Sequence, residues 1–176
     1  YDSLAGREIL ERLRLSKGIR CMGFSIEGVR QIWTKTAIDD MSEFEGMRIR
    51  IPQLPMFSAA FQALGATPLP MSFSQVYGGL RAGLIDGVEI DQESFLRYNL
   101  YESCKYCIET DHAVSIYTFF IAEEVFEQMT AAQQAVVQKS AESVSEWLRE
   151  EYRGNKTKIR AELEGKGVRF YQPEED

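Results

Sequence analysis

The chain has 176 residues, 44% hydrophobic and 27% charged, with a formal net charge of −7 and a sequence pI of about 4.9. That much apolar material offsets chain entropy and excludes wholesale disorder, and the length suits one domain with a real core or parts of two small lobes. The acidic balance argues against a nucleic-acid partner, which needs a basic face, and against adhesion to an anionic membrane. It leaves room for a small anionic ligand, because a few arginines can dominate locally. No apolar run approaches the ~18–20 residues of a membrane span.

Residues 2–16 read as a helix, with Leu4, Ile9, Leu10, Leu13 and Leu15 among charges and Gly18 as its stop. A sequence that opens at Tyr1 within a helix is expected to continue upstream, where any targeting signal would lie. Residues 19–24 and 28–34 read as two strands, and 42–44 as a helical turn closed by Gly46. In 47–52 the period of two puts Ile49 and Ile51 on one strand face and Arg48 and Arg50 on the other. Pro52, with no N–H to give, ends that ladder. A helix is expected over 54–64, capped by Gly65, then a short extended stretch holding Pro68 and Pro70.

Ser72 to Gln75 fits a capping box that opens a helix through Arg81. A strand within 84–90, a helix over 92–103 and strands over 106–110 and 114–121 follow. Thr130 to Gln133 fits a second capping box, opening a helix to about Leu163 with Val137, Ala141, Val144 and Leu148 as its apolar stripe. Gly154 is its weak point, Gly165 and Gly167 its end, and 168–171 a final strand. Strands alternating with helices favour an α/β fold with a mixed or mostly parallel sheet.

Several linked segments carry a resemblance: Glu45-Gly46-Met47-Arg48-Ile49-Arg50-Ile51-Pro52, then Leu64-Gly65-Ala66-Thr67-Pro68-Leu69-Pro70-Met71, Phe73-Ser74-Gln75-Val76-Tyr77 and Leu84-Ile85-Asp86-Gly87-Val88-Glu89. Gly23 to Arg30 before them, and Tyr101-Glu102, Lys105-Tyr106 and Thr110-x-His112 after them, extend it over nearly the whole chain. In this order and spacing they resemble the DctP-type solute-binding proteins of TRAP transporters. The resemblance implies an α/β, periplasmic-binding-protein-like fold (class II type) of two lobes. Here it would comprise mainly the second lobe plus hinge strands and a long lobe-spanning helix. Residues 19–115 would form the ligand-binding lobe and hinge strands, and 116–176 a returning strand, the long helix and the tail. It implies a periplasmic, non-enzymatic protein without cofactor or metal, which captures a small organic acid for the membrane subunits of a TRAP permease.

The same resemblance implies the site. Arg50 occupies the arginine of the R-x-R-x-P segment that pairs with the ligand carboxylate, and a guanidinium fork matches a carboxylate in two parallel bonds. An exposed charge on an edge strand is the plainer reading of Arg50 from residues alone. Arg30 matches the arginine of a G-x-R pattern that approaches the ligand. Phe73 takes the position of an aromatic against the ligand body, or staples the following helix. Gln53 matches a polar position that donates a hydrogen bond. Where some relatives carry Asn-Pro, this chain has Ile90 and Asp91, so a polar contact is lost or moved to Asp91 or Gln92; the apolar Ile90 suggests a less hydroxylated acid. Trp33 reads as core before pocket, and Arg48 as a solvent or inter-lobe charge.

Two other classes stay open. A ligand-sensing ectodomain could share this fold and this arginine. A thiol redox protein would use Cys104-x-x-Cys107, but one CxxC with Cys21 and His112 scattered elsewhere is a weak metal or redox pattern, and buried thiols are the better account. The single histidine and the lack of a G-x-S-x-G segment give a hydrolase little support. Asp86 and Glu89 fall on opposite strand faces and make a poor acid–base pair. Exposed inter-lobe surface is expected to favour dimerisation of the fragment.

Overall fold

The computed structural model describes residues 4–172. In chain order its elements are α1 (Leu4–Lys17), β1 (Ile19–Thr34), β2 (Arg48–Ile51), α2 (Pro55–Ala63), β3 (Thr67–Pro70), α3 (Val76–Arg81), β4 (Gly87–Asp91), α4 (Gln92–Arg97), β5 (Tyr106–Ala122), α5 (Glu123–Glu127), α6 (Ala131–Gly165) and β6 (Arg169–Tyr171). The strands form a six-stranded mixed sheet in the order β3-β2-β4-β1-β5-β6. β2 is parallel to β3 and β4, β6 is parallel to β5, and β1 is antiparallel to β4. At the edge, Thr67 and Met71 of the β3 segment turn their N–H groups inward, to the carbonyls of Met47 and Ile51 at 2.8 and 3.3 Å. Among the described residues no helix is long and apolar enough to cross a membrane.

The chain divides into two compact units, one formed by residues up to Glu27 with Ile116–Arg153, the other by Gly28–Ser115 with residues from Gly154 on. In the first, α5 presents Glu123 to Arg14 and Arg20 at 2.8 and 2.6 Å, and the Arg20 guanidinium lies 4.3 Å from the Phe126 ring centre. Sequence reading assigned nothing to α5. Its α6 portion opens with the expected capping box: Gln133 N–H donates to Thr130 Oγ1 at 3.3 Å, and Thr130 N–H to Gln133 Oε1 at 2.9 Å. The buried line on α6 departs from the expected stripe, because Val144 is 41% exposed while Ser145 is buried. Ser145 faces Gly23 of β1, where any Cβ would collide with its hydroxyl oxygen. Only a small side chain fits there, and the hydroxyl returns to the Ala141 carbonyl at 2.7 Å.

The second unit carries apolar clusters on both faces of its part of the sheet. Strand partners share a face, so the register sorts them. Trp33 and Arg50 both pair with Val88, and Gln31 with Ile90, on one face; Ile32 pairs with Glu89 and Arg30 with Asp91 on the other. On the first face Trp33, Val88, Ile90, Phe95 and Leu163 pack together; on the second Ile32, Ile49, Ile51, Phe57 and Phe61 do. Gly87 permits a close strand approach, since a Cβ there would lie 2.5 Å from the Trp33 carbonyl oxygen and 2.8 Å from Ile49 Cδ1.

Several expected breaks are absent. Residues 19–34 form one strand, and Gly28 serves close packing: a Cβ there would lie 2.5 Å from Asp91 Cβ. Residues 106–122 likewise form one strand, which absorbs Asp111 at φ 44° because its N–H and carboxylate both bond the buried Gln31 amide, at 3.1 and 2.5 Å. α6 continues through Gly154. Conversely, the helix expected over 92–103 stops at Arg97, since Asn99 takes the left-handed conformation (φ 56°) before a 3₁₀ turn over Leu100–Glu102. Ser72 caps no helix; its hydroxyl donates to the Gln75 side chain at 2.8 Å, and a 3₁₀ turn over Phe73–Gln75 precedes α3. The helix read over 2–16 is present from Leu4 on, and residues 2 and 3 lie outside the described residues.

Candidate functional site

Arg50 is built into the fold rather than laid on its surface. It stands one residue from the end of β2 and is only 5% exposed. Its Nε and Nη2 donate to one acceptor, the Met71 carbonyl, at 3.0 and 2.8 Å, and its guanidinium carbon lies 5.6 Å from the Phe73 ring centre. Among the described residues no carboxylate lies within 4.0 Å of it. Burial pulls its pKa down to about 10, so the group still carries its charge at neutral pH. The Glu89 and Arg30 charges act on it with opposite sign. A buried cation held by a lone carbonyl is costly unless something else balances it.

Arg30 is differently placed. Its fork grips Glu89, with Nη2 at 2.8 Å from Oε2 and Nε on Oε1, and it reaches Ser115 Oγ and the Glu89 carbonyl at 2.8 and 3.0 Å. The Glu89 side chain is fully buried and takes a further contact from His112 Nε2 at 3.2 Å. His112 in turn meets Thr110 Oγ1 at 2.7 Å through Nδ1 and stands edge-on to Phe57 and Phe61. Burial alone raises the Glu89 carboxyl; hydrogen bonds from His112 and Arg30 outweigh it and hold the group below its usual range. This arginine–glutamate–histidine cluster lies on the face opposite Arg50 and was not read from the sequence, because Arg30 and Glu89 are separated by 59 residues.

The other candidates divide likewise. Phe73 is half-buried under the Arg50 guanidinium and edge-on to Tyr98 at 4.4 Å, and it also packs against the Trp33 cluster. Ile90 is 4% exposed in that same cluster, on the Arg50 face, and its carbonyl accepts the Trp33 indole at 2.8 Å. Asp91 caps α4, accepting from Ser94 N–H at 2.9 Å. Gln53 is exposed in the turn between β2 and α2. Arg48 is held by Asp86, with Nη2 and Nε bonds of 2.7 and 2.8 Å, so it is an ion-pair partner and no loose solvent charge.

Among the described residues no group of three or more His, Cys, Asp or Glu is arranged to hold a metal ion. Cys104 and Cys107 are buried without exposure; burial pushes the Cys104 thiol up to about 12 and raises Cys107 as well. Thiolate, the reactive form, is thus scarce at neutral pH. A disulfide-exchange reagent is expected to label at most the half-buried Cys21 in the native protein and all three thiols after denaturation. Rapid native labelling of a second thiol would revive the redox reading.

The family model described as bacterial extracellular solute-binding protein, family 7 (DctP), matches residues 1–176. A solute-binding protein of Roseobacter denitrificans is 30% identical over 175 residues, which are 97% of this chain and 54% of the relative. A solved TRAP periplasmic solute-binding protein from the same organism, with bound L-galactonate, superimposes with a TM-score of 0.88 at 30% identity, over 97% of this chain and 57% of that one. Another from Xanthobacter autotrophicus Py2, with bound β-D-galacturonate, gives 0.89 at 28% identity over the same shares. The chain thus spans about half the length of the relatives it matches.

Proposed function

Because this chain belongs to the DctP family of extracellular solute-binding proteins, whose members carry ligands and catalyse nothing, we propose that it is part of a periplasmic protein that captures a small organic acid and hands it to a TRAP permease in the membrane. One observation carries the reading: Arg50 is a buried guanidinium without a carboxylate partner among the described residues, and the Glu89 and Arg30 charges act on it with opposite sign. A ligand carboxylate is the balancing charge it lacks, and in a site of reduced dielectric that pairing is strengthened. Phe73 flanks the guanidinium and supplies an apolar wall for the ligand body. Arg30, tied to Glu89, offers no free fork to the ligand. Gln53, in the turn that follows β2, and Ile90, packed on the Arg50 face, are shaping positions, while Asp91 belongs to the opposite face and to the α4 cap. All of these residues lie in the second compact unit, within the 19–115 portion proposed as the ligand-binding lobe. The sugar acids bound by the Roseobacter and Xanthobacter relatives support an acid as the ligand class.

The test is a thermal-shift screen of organic acids on the full-length protein and on Arg50→Ala. A ligand at 100 times its Kd stabilises by about 2.7 kcal/mol, a rise in melting temperature that is easily read. The expected result is at least one acid that stabilises the wild type and, at the same concentration, leaves Arg50→Ala unmoved. Stabilisation that survives the substitution would place the anchor elsewhere.

A further inference from the structure

Downstream of Glu89 the structure decides between the two positions, Asp91 and Gln92, to which a polar contact could have moved. Ile90 is apolar and packed, and the Asp91 carboxylate is committed to the α4 cap. Gln92 follows, 8% exposed, with its Oε1 wholly buried and without a hydrogen-bond partner among the described residues. Its direction follows from the backbone. Asp91 is extended (φ −74°, ψ 160°), so strand alternation continues one residue past β4 and sends Gln92 to the side of Val88 and Ile90. That is the side that carries Arg50. An amide end that is buried and unpaired is a standing cost, relieved by any partner that enters with the complementary group. An amide also offers either polarity, since its oxygen and nitrogen exchange places by a flip.

We propose that Gln92 is a specificity-determining residue that reads a hydroxyl of the bound acid, so that the ligand is a hydroxylated carboxylate. This rests on the reading of Arg50 as the carboxylate anchor, and it reverses the expectation of a less hydroxylated acid drawn from Ile90. The hydroxyl donates to the Gln92 amide oxygen while the carboxylate lies on Arg50. A site with a buried polar group of this kind rejects the analogue that lacks the hydroxyl, because the group is then left unpaired.

The experiment measures binding by calorimetry with acids matched in carbon number: L-galactonate against hexanoate and L-lactate against propionate. The wild-type full-length protein, Gln92→Leu and Arg50→Ala are compared. The wild type is expected to prefer the hydroxylated member of at least one pair. Gln92→Leu is expected to weaken that acid by about 10- to 100-fold and to leave the plain acid unchanged or tighter. The unliganded melting temperature of Gln92→Leu is expected to equal or exceed that of the wild type, since the variant removes an unpaired buried polar atom. A lower value would mean a structural role and overturn the proposal. Arg50-dependent binding of hydroxylated acids that Gln92→Leu leaves intact would overturn it while sparing the anchor. Failure of all four acids to bind the wild type would overturn it too, and binding that Arg50→Ala retains would instead strike the anchor.

Discussion

Replacing Glu89 with alanine is expected to destabilise the protein by about 3–5 kcal/mol, because it removes the carboxylate that the mostly buried Arg30 guanidinium grips. For a chain of this size that lowers the melting temperature by about 10 °C. The loss exceeds that of a surface pair because the Glu89 side chain is fully buried and the Arg30 side chain only 14% exposed, so neither is rescued by water. Glu89→Gln keeps the shape and one acceptor and is expected to cost less, while still removing the charge. The cluster also has a pH signature. The folded-state pKa of Glu89 lies below its unfolded value, so its stabilisation is complete above the ordinary carboxylate range near ~4.3 and is lost as pH falls through the lower folded value. Melting curves between roughly pH 3 and pH 7 should therefore show the wild type losing its advantage over Glu89→Gln on the acid side. Parallel curves for the two proteins would mean that Glu89 does not titrate as a buried partner.

Trp33→Ala is expected to cost about 3–5 kcal/mol, as large-to-small changes of a buried aromatic do. Trp33 has no exposed surface; it stacks on Phe95 at 3.8 Å and 13°, meets Phe170 edge-on at 5.9 Å, and bonds the Ile90 carbonyl. Trp33→Phe is expected to restore most of the packing but to leave that carbonyl unpaired, costing about 1–3 kcal/mol. Denaturant melts followed by far-UV circular dichroism separate the three proteins. A Trp33→Ala variant as stable as the wild type would show that this cluster collapses around the cavity or is dispensable to the fold.

The sequence made the local geometry legible wherever periodicity or a cap is self-contained. The alternation at Arg48, Ile49, Arg50 and Ile51 was readable because each side chain's face is set by its own strand, and the Thr130 box because both partners lie within one turn. What stayed hidden is tertiary. Nothing local shows that Gly28 packs on Asp91 instead of breaking β1, or that Gln31 sustains the left-handed Asp111 inside β5. Nothing in residues 130–165 shows that Gly23 draws Ser145, and not Val144, inward. The site followed the same rule. Arg50 and Phe73 are proposed on segment resemblance, whereas the Arg30–Glu89–His112 contacts join residues from three strands and exist only once the sheet is assembled.

The β3 edge has a consequence for life at high protein concentration. Thr67 and Met71 point their N–H groups into the sheet, so the intervening even positions point outward, and both are proline, Pro68 and Pro70. Between Thr67 and Met71 the rim therefore offers carbonyls but no outward donors, and a foreign strand laid along it finds half of its ladder missing. Strand-by-strand polymerisation from this side of the sheet is disfavoured by Pro68 and Pro70, while Thr67 and Met71 keep β3 paired with β2.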